Sequence, residues 1–300
     1  MMTQSELADV QLVADGLAFP EGPVALSDGS LLVVEIHRGT VTRIRPGHPP
    51  EVVASCGGGP NGAAVGPDGA LYVCNNGGRW PAYEGGRIER VDVGTGQVDV
   101  LYDRHDGRPL PGPNDLVFDA SGNLWFTATG KFRDHDRDFG AVYHASPSGD
   151  RLVQVIGRLD APNGVGLSPD GATLYYAESI TGRVYRRSVI GPGQLAPVPR
   201  NDPDTLLCGL PGLHMLDSLA IDADGRVCVG TLISGRISVI EPDGSRVHQY
   251  RLPAPYHDPM PTNICFGGAD HQMAYITLSE TGRVVSCPWP AAGLPLAFNR

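Results

Sequence analysis

The chain has 300 residues, a net charge of −10 and only 19% charged residues, a balance that argues against nucleic acid as a partner. With 41% apolar residues it can build a substantial core, which sets disorder aside. Its 40 Gly and 27 Pro are too many for a helical protein and fit many short strands joined by turns. No apolar run approaches the roughly 20 residues of a membrane span, and Met1 to Asp9 is polar, with no apolar signal segment. The six cysteines form no C-x-x-C pair. Cys74, Cys228 and Cys265 fall inside apolar strand patterns and read as buried free thiols, so a cytoplasmic setting is expected.

Read in order, the chain repeats one sentence. Asp9 to Asp15 resembles a lone strand. Then comes Glu21-Gly22-Pro23-Val24-Ala25-Leu26, a turn at Asp28-Gly29, a strand at Leu31 to Glu35 and a strand led by Gly39. The pattern restarts at Asn61 (turn Asp68-Gly69), at Asn114 (turn Ser121-Gly122), at Asn163 (turn Asp170-Gly171) and at Asp217 (turn Asp224-Gly225). A last copy starts at Thr262, with a degenerate turn at Ala269-Asp270. Every turn begins seven residues after the key position, although the copies themselves lie 40 to 54 residues apart. A fourth strand closes most units, as at Glu51 to Ala54, Val98 to Tyr102, Leu152 to Ile156 and Arg246 to Leu252.

Four antiparallel strands per unit of this length is a propeller blade, and six copies predict an all-β, six-bladed β-propeller. The last copy lacks a clear fourth strand after Val285, so residues 9–15 are expected to complete it and close the ring. No linker or break in composition divides the chain, which predicts one domain over residues 1–300.

Each key residue precedes the innermost strand of its blade, so Glu21, Asn61, Asn114, Asn163, Asp217 and Thr262 should ring one mouth of the central channel. The connection between the second and third strands opens on the same face. It is short in four blades and long in two: Asn76 to Gly85, which carries Trp80 and Tyr83, and Thr129 to Phe139, which carries Lys131 and Phe132. Two carboxylates with amide oxygens form a hard ligand set suited to Ca²⁺, Mg²⁺ or Mn²⁺, with Zn²⁺ a further option. Asn or Asp before a strand also caps turns, but that does not account for Glu21.

Other constellations carry less. No G-x-S-x-G elbow supports a Ser–His–Asp triad, although His214 and Ser218 flank Asp217. His214 is a candidate substrate contact. The run from Arg133 to Asp138 reads as a solvated loop, and no nucleotide-binding fingerprint occurs.

The phrases Phe19-Pro20-Glu21-Gly22-Pro23, Pro113-Asn114-Asp115-Leu116-Val117 and Pro162-Asn163-Gly164-Val165, with the acidic residue at Asp217, resemble the SMP-30/gluconolactonase (regucalcin-like) family, over about residues 10 to 290. The resemblance implies one divalent metal, Ca²⁺ first, held by Glu21, Asn163 and Asp217. It also implies lactone hydrolysis with Asp217 as general base, and Asn114 near substrate and metal. Asn61, Asp115, Trp80, Tyr83, Phe132 and His214 complete the expected substrate contacts. Animal members place Arg where this chain has Gly112, and bacterial gluconolactonases place Asp where it has Ala128; an aromatic rim fits a less polar lactone. The expectation is therefore a metal-dependent lactonase with a small-molecule substrate and no nucleic-acid or membrane partner. The alternatives are an arylesterase or phosphotriesterase using the same metal, and a non-catalytic Ca²⁺-binding propeller.

Overall fold

The computed structural model describes residues 1–78, 82–199 and 205–299. Two strands open the chain, β1 (Met2–Glu6) and β2 (Gln11–Ala14). Blade 1 follows as β3 (Pro20–Ala25), β4 (Leu31–Glu35), β5 (Thr40–Ile44) and β6 (Glu51–Ser55). Blade 2 is β7 (Pro60–Val65), β8 (Leu71–Asn75), β9 (Arg87–Val91) and β10 (Val98–Tyr102). A small hairpin, β11 (Arg104–His105) and β12 (Arg108–Pro109), leads to blade 3: β13 (Pro113–Phe118), β14 (Leu124–Ala128), β15 (Gly140–Ala145) and β16 (Leu152–Leu159).

Blade 4 is β17 (Pro162–Leu167), β18 (Thr173–Glu178) and β19 (Arg183–Gly191), edged by β20 (Gln194–Leu195) and β21 (Leu206–Gly209). Blade 5 is β22 (Met215–Ile221), β23 (Val227–Leu232), β24 (Arg236–Ile240) and β25 (Val247–Arg251). Blade 6 is β26 (Pro261–Gly267), β27 (Met273–Leu278) and β28 (Arg283–Pro288), with β2 as its outer strand. The six sheets form the six-bladed propeller expected from the repeat, and Gln11 pairs with Ser286 where residues 9–15 were expected to close the ring.

The turn after each inner strand owes its form to an aspartate accepting a backbone amide two residues on. Asp28 takes Ser30 N at 2.9 Å, Asp68 takes Ala70 N at 3.2 Å, Asp119 takes Ser121 N at 2.9 Å and Asp170 takes Ala172 N at 3.0 Å. Asp222 and Asp270 do the same for Asp224 and Gln272, so even the degenerate sixth turn keeps the device. Between blades the contacts are apolar: Tyr72 of blade 2 meets Phe118 of blade 3 edge-on at 5.0 Å, and Trp125 of blade 3 packs with Val165 and Leu167 of blade 4. Each fully buried aliphatic or aromatic side chain of this kind stabilises the fold by about 1.5–3 kcal/mol.

Two features go beyond the repeat. β1 adds a fifth strand to blade 5, parallel to β25, with Thr3 and Ser5 hydroxyls 2.7 Å from the two ring nitrogens of His248. It lies wholly exposed, so it needs no apolar alternation and leaves no hydrophobic signature. Beyond β28, residues 289–299 cross the channel mouth opposite the key residues. Leu294 N donates to Ile221 O at 3.1 Å, Ala223 N to Ala292 O at 2.8 Å, and Phe298 stands edge-on to Phe118 at 5.9 Å. Of the thiols expected to be buried, Cys74 and Cys228 are, while Cys265 is partly exposed; all six cysteines are unpaired. Among the described residues no helix is long and apolar enough to cross a membrane.

Candidate functional site

All six key residues lie near the start of an inner strand rather than before it. Glu21, Asn61, Asn114, Asn163 and Thr262 are second in β3, β7, β13, β17 and β26, and Asp217 is third in β22. Each of these strands shifts register against its neighbour at or just after the key residue, as between Glu21 and Val24 and between Leu216 and Leu219. A bulge of this kind re-aims a side chain, which is how a strand residue comes to face an axial mouth. A proline precedes the key residue in every blade but the fifth. Ahead of two of these prolines, Phe19 and Ala161 take left-handed φ values of 60° and 54°. Side chains rarely adopt that conformation, and it recurs at binding sites.

The mouth is polar and closed off. Glu21, Asn61, Asn114, Asp115, Asn163, Asp217, Thr262 and Asn263 are all buried. Asn163, Glu21 and Asp115 all act on the proton affinity of Asp217, Asn163 lowering it and the two charges raising it, so these side chains come together. Burial pushes the Glu21 carboxyl up to about 7, against the pull of bonds from Asn263, Gly22 and Thr262. Burial drives Asp115 to about 8, with the Val165 amide opposing and the Glu21 charge reinforcing. Asp217 is held well above the usual carboxylate range by burial first and then by Glu21 and Asp115. Among the described residues no Lys, Arg or His forms an ion pair with any of the three. The carbonyl oxygens Oδ1 of Asn61 and Asn114 are buried without a hydrogen-bond partner. Among the described residues no three His, Cys, Asp or Glu side chains are grouped to hold a metal; this oxygen set draws on asparagines as well.

The position after the key residue forms a second ring that sequence reasoning passed over. It reads Gly22, Gly62, Asp115, Gly164, Ser218 and Asn263. The glycines are required by close approach: a Cβ on Gly62 would stand 2.5 Å from Asn114 O, and one on Gly164 2.7 Å from Asp217 O. The three polar members brace the key residues. Asn263 Nδ2 donates to Glu21 Oε2 at 2.8 Å, and Ser218 Oγ to Asn163 Oδ1 at 3.4 Å. Asp115, expected at the substrate, accepts amides from three strand positions: Leu116 N at 3.0 Å, Val165 N at 3.1 Å and Leu219 N at 3.5 Å. It ties blades 3, 4 and 5 together below the mouth. The signal was present one position after each key residue, as three glycines and three polar residues.

The rim residues divide. Phe132 is 47% exposed and lines a cleft of about 430 Å³ with Asn76, Gly112, Thr129 and Lys131. Tyr83 is a strut: its hydroxyl takes Gly86 N at 2.8 Å and donates to Leu110 O at 3.1 Å, while Lys131 Nζ sits 3.5 Å above its ring. His214 lies in the connection before β22, Nδ1 3.4 Å from Ser234 Oγ. Trp80 lies outside the described residues.

Residues 19–280 match the family described as SMP-30/Gluconolactonase/LRE-like region. The chain belongs to this family. Among SMP-30/gluconolactonase-type relatives, a gluconolactonase of Zymomonas mobilis is 29% identical over 264 residues, covering 78% of this chain and 70% of the relative. Lactonase drp35 of Staphylococcus saprophyticus is also 29% identical, over 83% of this chain and 72% of its own length. In fold, the chain matches the crystal structure of a calcium-binding protein, regucalcin, from Agrobacterium tumefaciens, with a TM-score of 0.80 over 100% of both chains at 17% identity.

Proposed function

We propose that this protein is a divalent-cation-dependent lactonase whose site is the mouth ring. One observation carries the reading: Glu21, Asp115 and Asp217 are buried together with no basic partner among the described residues. Buried carboxylates without a counter-charge are strongly unfavourable, and burying two unpartnered amide oxygens, on Asn61 and Asn114, adds to the cost. A hard cation such as Ca²⁺ supplies the missing counter-charge, and Glu21, Asn163 and Asp217 would hold it. When bound, such an ion supplies Lewis acidity toward an ester carbonyl.

The chain's own residues supply the rest. Asp217 accepts a proton from the attacking water as the general base. Asn61 and Asn114 turn their free oxygens to a hydroxyl or to that water and fix its direction. Burial of the ring keeps competing bulk water away. Water adds to the carbonyl carbon, the ring C–O bond breaks, and a hydroxy acid leaves with a net proton released. The cleft beside Phe132 takes the substituents of the lactone. The gluconolactonase and lactonase relatives support this reaction class.

The test is acid release from a panel of lactones after chelation, with Ca²⁺, Mn²⁺, Mg²⁺ and Zn²⁺ restored one at a time. Activity lost with EDTA and recovered with one or more of these ions is the expected result. Hydrolysis indifferent to chelation, or silence across the panel with every ion, contradicts the reading.

A further inference from the structure

Blade 6 brings no charge to the mouth. Its key residue is Thr262, yet the next residue, Asn263, reaches Glu21 of blade 1, 242 residues away in sequence. Asn263 Nδ2 donates to Glu21 Oε2 at 2.8 Å, and Gly22 N donates to the same oxygen at 2.7 Å. Asn263 is itself held fast: its Oδ1 accepts Ile264 N at 2.8 Å, and its backbone N donates to Thr277 Oγ1 at 3.0 Å. Behind it, the Thr262 hydroxyl lies 2.9 Å from that of Thr277 and 2.6 Å from that of Ser279. Ser279 Oγ donates to Pro20 O at 2.6 Å, so blade 6 also grips the backbone just ahead of Glu21.

A glutamate has one more freely rotating bond than the aspartate that serves blade 5, and an unheld carboxylate must be ordered before it can bind a cation. A ligand's outer partners fix its direction, and their loss commonly weakens metal binding 10- to 100-fold. We infer that Asn263 is a positioning residue for Glu21: it pins one carboxylate oxygen so that the group faces the mouth ring, and thereby sets the cation affinity of the site. The inference rests on the cation reading above. It assigns to the sixth blade, which lacks a charged key residue, the task of orienting the ligand supplied by the first.

The experiment measures Ca²⁺ affinity by calorimetry on the full chain freed of metal, with folding checked by circular dichroism. Asn263→Ala and the volume-keeping Asn263→Leu should weaken binding about 10- to 100-fold. Asn263→Gln, which keeps a donor amide, should recover part of that loss. Asn75→Ala is the control for mere destabilisation. Asn75 is a buried amide whose bonds, to Gly59 N, Gly77 N, Gly57 O and Glu89, all go to the frame of blade 2. It should lower the melting temperature and leave Ca²⁺ affinity unchanged. Unaltered affinity in both Asn263→Ala and Asn263→Leu, an equal loss in Asn75→Ala, or no recovery with Gln overturns the positioning role alone. Wild-type protein that binds no divalent cation overturns the cation reading and this one with it.

Discussion

At one end of the channel the six inner strands bury Glu21, Asn61, Asn114, Asn163, Asp217 and Thr262. A few residues further along, the same strands line a cavity of about 280 Å³ with Val24, Ala64, Leu116, Val165, Leu219 and Ile264, closed by the C-terminal run at Leu294 to Leu296. The far end shows what these strands do where packing dominates: apolar side chains make up most of the cavity wall. The mouth departs from that at every blade. It carries carboxyls pushed far above their ordinary range, left-handed non-glycine residues before Pro20 and Pro162, and two amide oxygens without partners. The raised carboxyls in particular are a cost that packing alone does not explain, and they support placing the proposed site at this end.

Substitutions at the two ends should separate activity from stability. The largest effect is expected at the mouth: Asp217→Ala should lower kcat/KM for the preferred lactone by about 10²–10⁴-fold while the circular dichroism spectrum stays that of the folded protein. A fully active variant would remove Asp217 from the mechanism. At the far end, Ile221→Ala should reverse the pattern. Ile221 is 6% exposed beside the cavity, and its truncation should cost about 2–4 kcal/mol in denaturant unfolding with Ca²⁺ affinity unchanged. A large change in affinity there would show that the two ends are not independent.

A third effect is a pH dependence that belongs to the mouth. Glu21 rises from 4.5 to about 7 and Asp115 from 3.8 to about 8. Between the ordinary and the raised values the folded protein holds protons that the unfolded chain has released. Stability without cation therefore falls as pH climbs from about 5 to about 8. Thermal melts of metal-free protein should show this decline, and saturating Ca²⁺ should flatten it. A melting temperature that rises across the window contradicts the assignment.

Much of this architecture was legible in the sequence because it depends on periodic patterns. The seven-residue interval from key residue to turn registers all six inner strands, and the orphan strand at residues 9–15 finds its place because blade 6 lacks a fourth. What the sequence concealed has no periodic signature. The bulges that put Glu21 and Asp217 inside their strands arise from backbone register, which composition does not encode. β1 is exposed on an outer edge, so its residues need no alternation. The run past β28 crosses the far mouth through backbone bonds such as Leu294 N to Ile221 O, to which side-chain identity contributes little. The second ring lay in plain view, but Asn263 gains its meaning only when the closed ring sets blade 6 beside blade 1.

The most direct test of the account is calorimetric titration of Ca²⁺ into metal-free protein near pH 6.5, in two buffers of different ionisation enthalpy, with Glu21→Gln alongside. One ion per chain should bind the wild type and displace protons from the mouth carboxyls, and Glu21→Gln should lose that binding. Absence of binding, or binding that Glu21→Gln leaves intact, would contradict the claim that the mouth ring is a cation site.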